Sequence, residues 1–370
     1  MKILFILDSI TAWQTGIWWH RNETPGRALG MRGHKAKHVA IGQSMPKEFM
    51  DWCDVVIFGR TYAQVFDPVG LMREFKRAGK RIIYDMDDDY WQVAKNNPSI
   101  SVSSALKDQY EGMIKEADAL ITPSKSLAKK FKIFRKPVFL CPNGVDSNIY
   151  RERPRAHEGI IIGYMGAASH WEDLAIVVEA LEKLYEKHNF SFNIYGMVGE
   201  PMEAAMYYYN KMLANHLQPE KDAYFRSALD FYTQLKKVKG MHIPFYPPEL
   251  HPTIMTRCDF DIGVAPLLDT EFNHGKSCIK FYEYAAVGTV TLASDVEPYK
   301  SEVNYRAKNT TKDWHNKLEK LIVDEKFREK ILQEQIEYVK KYRSLEAIGL
   351  DWELACQRPG GLPVLNQQKE

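Results

Sequence analysis

Residues 259–299 read DFDIGVAPLLDTEFNHGKSCIKFYEYAAVGTVTLASDVEPY. Their apolar and polar positions follow the order strand, loop, helix, strand. Phe260, Ile262 and Val264 alternate with smaller or polar residues, as a strand does, and residues 289–294 are a second β-branched run. Between them, residues 276–287 carry a helical period. At about 100° per residue, Lys276, Lys280 and Glu283 share one face, and Ile279, Phe281, Tyr282, Ala285 and Ala286 share the other. A helix that starts just past the carboxyl end of a parallel strand turns free N–H groups and the positive end of its dipole toward the cleft, where anions bind. Lys276 and Lys280 suit a phosphate, and Glu283, one turn deeper, suits a ribose diol. The competing reading is an ordinary solvated face with charges at i, i+4 and i+7.

The pattern extends outward on both sides. Upstream, residues 160–166 open a sheet, 171–186 form an amphipathic helix and 190–196 a strand. Residues 201–239 read as two helices, rich in Tyr, Phe and Lys, and 241–245 and 248–257 as a strand and a short helix. Downstream, residues 314–342 and 345–357 are helical, and the tail from Pro359 is frayed. In the first half, strands at 2–7, 36–41, 54–59, 81–84, 119–122 and 138–141 alternate with helices at 68–78, 106–117 and 125–131. Residues 9–25, SITAWQTGIWWHRNETP, read as a loop, after which Thr24 caps a helix with Pro25 at its first position and Gly33 as its stop. This alternation implies an α/β chain of two Rossmann-like, doubly wound parallel sheets. The expected division is 1–150, then 151–343 with a helical insertion near 201–239, then 344–370 as a helix returning to the first domain plus a tail. The polar run 151–158 is the linker.

Composition narrows the function classes. The chain of 370 residues is 45% hydrophobic and 26% charged, as soluble globular proteins are. A net charge of +2 gives no global electrostatic case for nucleic acid or an acidic membrane. Cys53, Cys141, Cys258, Cys278 and Cys356 are scattered and form no C-x-x-C pair, which points to reduced thiols in the cytoplasm rather than disulfides or zinc. No run approaches the roughly 20 apolar residues that span a bilayer, and the apolar start KILFIL runs into Asp8 as a first strand would, not a signal peptide. A G-x-G-x-x-G fingerprint, a P-loop and a G-x-S-x-G elbow are all missing, which weakens oxidoreductase, kinase and hydrolase readings.

Three further stretches carry chemistry. Asp85, Asp87, Asp88 and Asp89 put four carboxylates in five residues directly after a strand. A divalent metal would offset their repulsion, with Asp85-Met86-Asp87 as a D-x-D motif. Alternatively the cluster lies in the cleft, with Asp87 near a sugar and the others as helix caps, or it is an exposed capping loop. Residues 163–174, GYMGAASHWEDL, bring Gly166, Ala167 and Ala168 together, small enough for backbone to approach a ligand. Ser169 or His170 is placed to cap the next helix. The loop 11–21 leaves the first strand at the carboxyl edge of the sheet and carries Trp13, Trp18, Trp19, His20 and Arg21. Aromatic rings there suit a flat, partly apolar acceptor, as Tyr207, Tyr208 and Tyr209 would; they serve equally well as core.

Taken together, these stretches resemble GT-B glycosyltransferases of the family-4 type over nearly the whole chain. Residues 272–294 are similar to the donor-site helix of that family: Glu283 matches the second glutamate of its E-x7-E motif and Gly288 the glycine that follows. The first glutamate falls at Gly275, Glu271 is off register, and Lys276-Ser277 fits the lysine-serine pattern of a large subgroup. HRNETPGRALGMRGH at 20–34 resembles the first loop and helix, which border the acceptor, and CPNGVDSNIY at 141–150 resembles the interdomain hinge. The arginine and lysine that many members carry in the 163–174 loop are absent, whereas His170, Asp173 and Leu174 match a subgroup pattern. Asp87 falls where many members have a histidine on the donor sugar. The resemblance implies a retaining transfer from a UDP- or GDP-linked sugar to a glycan, lipid carrier or modified nucleobase, with no required metal. A peripheral membrane or DNA is a possible bearer of the acceptor. It assigns catalysis to Asp87, Glu283 and Lys276. The donor falls to Gly166, Ala167, His170, Asp173, Lys276, Ser277, Lys280 and Glu283, and the acceptor to Trp18, Trp19, His20 and Arg21. Two other classes stay open: a metal-dependent transferase using Asp85 and Asp87, and a non-catalytic nucleotide-sugar or glycan binder.

Overall fold

Short apolar runs with no polar alternation, such as VVIF and ALIT, belong in a parallel sheet covered on both faces, and that is where they lie. The computed structural model describes residues 1–7, 16–40, 47–59, 67–93, 104–151, 157–166, 170–196, 223–235, 241–242, 255 and 259–357. The first sheet contains β1 (Lys2–Leu7), β2 (Lys35–Ala40), β3 (Val55–Phe58), β4 (Arg81–Asp85), β5 (Ala119–Thr122) and β6 (Val138–Leu140), in the order β2-β1-β3-β4-β5-β6. The second contains β7 (Ile160–Met165), β8 (Phe190–Tyr195), β9 (Met241–His242), β10 (Ile262–Ala265), β11 (Val290–Ser294) and β12 (Arg306–Ala307), in the order β12-β11-β10-β7-β8-β9. Every strand pairing in both sheets is parallel.

Around the first sheet lie α1 (Gly16–Trp18), a π-helical turn Trp19–Glu23, α2 (Thr24–Met31), α3 (Lys47–Trp52), α4 (Pro68–Arg77), α5 (Ser104–Glu116) and α6 (Lys125–Lys130). Around the second lie α7 (Trp171–Tyr185), α8 (Ala223–Leu235), α9 (Glu271–His274), α10 (Ile279–Ala286), α11 (Thr311–Val323) and α12 (Glu325–Arg343). Side chains close several N-termini. The Asp67, Ser124, Thr310 and Asp324 oxygens accept from the N–H groups of Gly70, Leu127, Asp313 and Phe327. The Asp324 cap divides the run 314–342 into two helices.

The region read as a loop before Thr24 is helical from Gly16 onward, and Thr24 does not cap. Its own N–H donates to the Trp19 carbonyl within the π turn, so α2 begins with its donors already engaged and leaves a capping hydroxyl nothing to do. Within the expected insertion near 201–239, only α8 is among the described residues. The tail from 358, the bulk of the helix expected at 248–257, and residues 207–209 lie outside them, as do Trp13 and Cys258.

The chain crosses between the sheets along residues 141–150 and returns beside that crossing. The Val145 N–H donates to the Arg343 carbonyl at 2.8 Å, and Val145 pairs in parallel with Ser344. A β-carbon at Gly144 would sit 2.6 Å from that carbonyl, so the two passes need glycine to lie this close. Beyond the return, α13 (Leu345–Gln357) packs Leu345, Ile348 and Trp352 against Ile3, Phe5, Ile57 and Ile83 of the first sheet.

Candidate active site

Both sheets turn their carboxyl ends toward a shared cavity of about 360 Å³, within the size range of small-molecule sites. The first half of the chain contributes His20, Arg21, Asp87, Asp88 and Asn143, and the second contributes Gly166, His170, Lys276, Ser277, Lys280 and Glu283.

Glu283 is a buried charge in the cavity wall. It is 4% exposed, and its Oε1 accepts from the Tyr150 hydroxyl at 3.2 Å and lies 3.2 Å from His20 Nε2. Burial, and then the Glu283 charge beside it, drive the Tyr150 phenol well above its usual range. Lys280, half-buried, stands 5.6 Å over the Tyr164 ring. Burial lowers its pKa, Asp173 opposes that, and Lys276 adds to it. Lys276 lies 4.6 Å over the Phe272 ring and 3.8 Å from Asp88 Oδ1. Ser277 Oγ accepts from Asn143 Nδ2 at 2.8 Å.

Lys276 and Ser277 do not share a helix with Glu283, contrary to the periodicity. The Gly275 carbonyl accepts from Ser124 Oγ across the cleft at 2.7 Å, and α10 begins only at Ile279. Gly275 is also where the missing glutamate of E-x7-E would fall. A β-carbon there would meet Leu127 Cδ2 at 3.0 Å, so a longer side chain requires Leu127 to give way.

His170 Nδ1 is 2.9 Å from Asp173 Oδ2. Burial, reinforced by Lys280 and Lys276 and opposed by Asp173, lowers the imidazole pKa to about 4. The ring is therefore neutral, with Nδ1–H donating to Asp173 and Nε2 an acceptor. His170 occupies the N-cap position of α7 without a side-chain cap bond. Burial alone would raise the Asp173 carboxyl, but His170 and the Leu268 N–H, at 2.8 Å, keep it below its usual range. Gly166 lines the cavity and donates its N–H to the Tyr195 carbonyl at 3.0 Å. Ala167, with Ala168 and Ser169, lies outside the described residues.

The four aspartates have four different surroundings, and none of them caps a helix among the described residues. Asp85, 3% exposed, binds Arg21 in bidentate fashion at 2.7 and 2.9 Å. Asp87 accepts from the Tyr90 hydroxyl, Asp88 faces Lys276, and Asp89 binds Lys130, which also lies 3.4 Å from Glu271. Their repulsion is thus offset by three cations, one of them from the opposite side of the cleft. Among the described residues, no group of three His, Cys, Asp or Glu side chains is disposed to hold a metal ion.

The residues expected on the acceptor side divide. His20 and Arg21 reach the cavity wall, whereas Trp18 and Trp19 do not. Trp18 ends α1 and Trp19 begins the π turn. Trp19 is buried in the core that contains Val145 and Tyr150, under the Arg27 guanidinium at 5.4 Å, and Trp18 leans on Trp19 and on His38. The aromatic pair is packing rather than a cleft surface. Arg21 is likewise committed. It donates from Nε and Nη2 to Asp85 and from Nη1 to the Cys141 carbonyl and Asn143 Oδ1, both at 2.8 Å, and its guanidinium lies 4.7 Å over Trp352. Tyr150, Asn143, Ser124 and Lys130 were not singled out from the sequence. For Tyr150 and Asn143 the signal was their place in the hinge phrase at 141–150.

No protein-family profile matches the sequence, and no match to it was found among curated proteins. Solved structures do match it. A glycosyltransferase from Rickettsia africae superposes with a TM-score of 0.64 at 12% identity, over 96% of this chain and 98% of that one. HepE from Anabaena, solved in complex with UDP and glucose, gives 0.63 at 13% over 96% and 98%. An α-glucosyltransferase in complex with UDP gives 0.65 at 10% over 96% and 99%. At such identities the likeness is one of fold, and it spans nearly the full length of each chain: two parallel sheets with their surrounding helices, in the GT-B arrangement of these glycosyltransferases.

Proposed function

We propose that the chain is a glycosyltransferase that moves a sugar from a nucleotide-sugar to an acceptor bound against the first sheet. One observation carries the reading: a buried carboxylate, Glu283, lies on a helix whose N-terminus opens beside two lysines at the carboxyl ends of parallel strands. Cys278 at the N-cap makes no side-chain cap bond, which leaves the leading N–H groups of this helix for a diphosphate. Lys276 and Lys280 supply the cationic charge for the leaving group, Glu283 takes the ribose hydroxyls, and neutral His170 accepts from a sugar hydroxyl through Nε2. Asp87 faces the same space and stabilises positive charge at the anomeric carbon. Preorganised charge of this kind accelerates group transfer most where the two domains exclude water.

The family-4 resemblance at Glu283, Gly288 and His170-Asp173-Leu174 favours retention of configuration and a reaction without metal. The UDP in two of the similar structures favours a UDP-linked donor. The acceptor class stays as broad as glycan, lipid carrier or modified nucleobase; one of the similar α-glucosyltransferases was solved with UDP and a 13-mer DNA. Residues 1–150 form the acceptor domain in this reading, 151–343 the donor domain, and 344–370 the return. The four described cysteines are free and buried, which suits a reducing cytoplasm.

Titration calorimetry with UDP and GDP tests the site. Glu283→Gln should weaken nucleotide binding by about 1–3 kcal/mol, the cost of an unmatched buried polar partner. Equal affinity in the variant rejects the assignment. Transfer activity that vanishes in EDTA and returns with manganese would instead favour the metal-dependent reading.

A further inference from the structure

We propose that the chain carries a second ligand site, behind α10, for a small anion with an apolar body, and that its occupant is linked to the first cavity through Tyr150. The link, though not the site, rests on the reading of Glu283 as the nucleotide ligand.

A second cavity, of about 440 Å³, lies where the crossing segment, the end of α10, the last turns of α12 and the start of α13 meet. Its size is again that of a small-molecule site, far above the water-sized gaps of a packed interior. Among the described residues, none lines both cavities.

The lining divides by chemistry. Val145, Ala285, Ile336 and Val339 are buried and make an apolar floor. Ala285 and Ala286 end α10, and two alanines in succession hold that wall back from space that larger side chains would take. On α12, Ile336, Val339 and Lys340 fall at i, i+3 and i+4, so one helix face carries both floor and ammonium. Lys340 and Arg151 are exposed and form no ion pair with a described residue. Arg151 Nε donates to the Asn148 carbonyl at 2.9 Å. Glu346 is the one acid on this lining, so two cations stand against one carboxylate, and Ser147 and Ser344 add hydroxyls.

An apolar floor under a mouth of net positive charge fits a carboxylate or phosphate monoester on a hydrocarbon body. The tail covers the floor, and the head group meets Lys340 and Arg151. A neutral apolar molecule would leave the cations unused, and inorganic phosphate would leave the floor uncovered.

Tyr150 stands between the two cavities. It lines the second and is 2% exposed. Its hydroxyl donates at 3.2 Å to Glu283 Oε1, and Glu283 lines the first. Ala285 and Ala286 follow Glu283 within one turn of the same helix. An occupant packed on the Tyr150 ring restricts the group whose hydroxyl orients the Glu283 carboxylate. Anion and nucleotide then strengthen each other's binding by the same factor, as linked equilibria must.

Calorimetry with octanoate, octyl phosphate and octanol tests the site. Octanoate or octyl phosphate should bind, the pair showing which head group is accepted, and octanol should bind about tenfold more weakly or not at all. Lys340→Gln should weaken the anion about tenfold. Ala286→Trp, which fills the cavity from a partly exposed wall, should abolish its binding. Lys280→Ala, in the other cavity, should leave it unchanged. Circular dichroism melts check the fold of each variant, and Lys340→Gln, at an exposed position, decides the matter if Ala286→Trp does not fold. The site is overturned if neither anion binds, if octanol binds as tightly, or if Lys280→Ala rather than Lys340→Gln removes binding. The link is read by titrating the tighter-binding of UDP and GDP with and without the anion. Wild type should bind nucleotide about fivefold more tightly in its presence. Tyr150→Phe, which keeps the ring and removes the hydroxyl, should still bind the anion but lose that gain. Nucleotide affinity that ignores the anion overturns the link. If neither nucleotide binds, or Glu283→Gln binds as wild type does, the donor reading fails and the link fails with it, while anion binding still decides the site.

Discussion

The Arg21 clamp yields the largest single stability effect we expect. Arg21 and Asp85 are each 3% exposed and joined by two charge-assisted bonds, and the remaining guanidinium donors serve Asn143 and the Cys141 carbonyl. Arg21→Met would leave Asp85 buried without its counter-charge, a change that costs about 3–5 kcal/mol. The two bonds to Asn143 and Cys141 add about 1 kcal/mol each, partly offset by methionine packed on Trp352. A net loss of about 4–6 kcal/mol is therefore expected from a chain whose total is on the order of 5–15 kcal/mol. Asp85→Leu should cost about as much, by stranding the arginine. The double variant should lose only about 2 kcal/mol, because an apolar pair needs no counter-charge and only the acceptors at Asn143 and Cys141 go unmet. Urea unfolding followed by circular dichroism measures all four proteins. A loss under 1 kcal/mol for Arg21→Met, or a double variant that loses the sum of the singles, would refute the view of this clamp as one buried unit.

Two further outcomes concern pH and backbone. Burial raises the Asp351 carboxyl to about 6, so in the window from pH 4 to 6 the native chain holds a proton that the unfolded chain releases, and stability falls as pH rises through it. Asp351→Asn should therefore raise Tm at pH 7.5 and leave it unchanged at pH 4; a gain equal at both values removes the titration as its cause. His170 acts in the opposite direction. With its pKa brought from 6.5 to about 4, first by burial, it binds its proton more readily in the unfolded chain, so stability drops as pH falls through that interval. His170→Gln should flatten the acid side of the Tm profile, and an unchanged profile would mean that the ring is not held neutral. Gly144→Ala should cost about 1–3 kcal/mol by urea unfolding, since its methyl would meet the Arg343 carbonyl; no loss would show that the two crossings separate without cost.

Much of the fold could be read locally because its signals are local. Runs such as KILFIL and VVIF need no partner to be recognised as buried strands, and the boundaries of β1 to β6 differ from the expected ones by a residue or so. The cavity wall was legible where one motif carries several of its members, as with Lys276, Lys280 and Glu283. It was illegible where partners are far apart in sequence. Nothing near Arg21 announces Asp85 sixty-four residues away, nor does anything at Gly275 announce Ser124. Thr24-Pro25 carries every local sign of a helix start, yet the π turn before it had already begun the helix. Residue type alone also does not encode that Trp18 and Trp19 pack against a core and do not line the cavity.

The return helix α13 has a consequence for how the protein is made. Ile3, Phe5, Ile57 and Ile83 are shielded in part by Leu345, Ile348 and Trp352. A ribosome completes β6 about 200 residues before it reaches α13, which at roughly 5–20 residues per second is some 10–40 s. Throughout that interval one flank of the nascent first sheet lacks its cover, while the entire second sheet is still being synthesised. The early half of the chain thus carries exposed apolar surface during translation, and a fragment that stops at residue 340 should be more prone to aggregate than its intact second sheet would suggest.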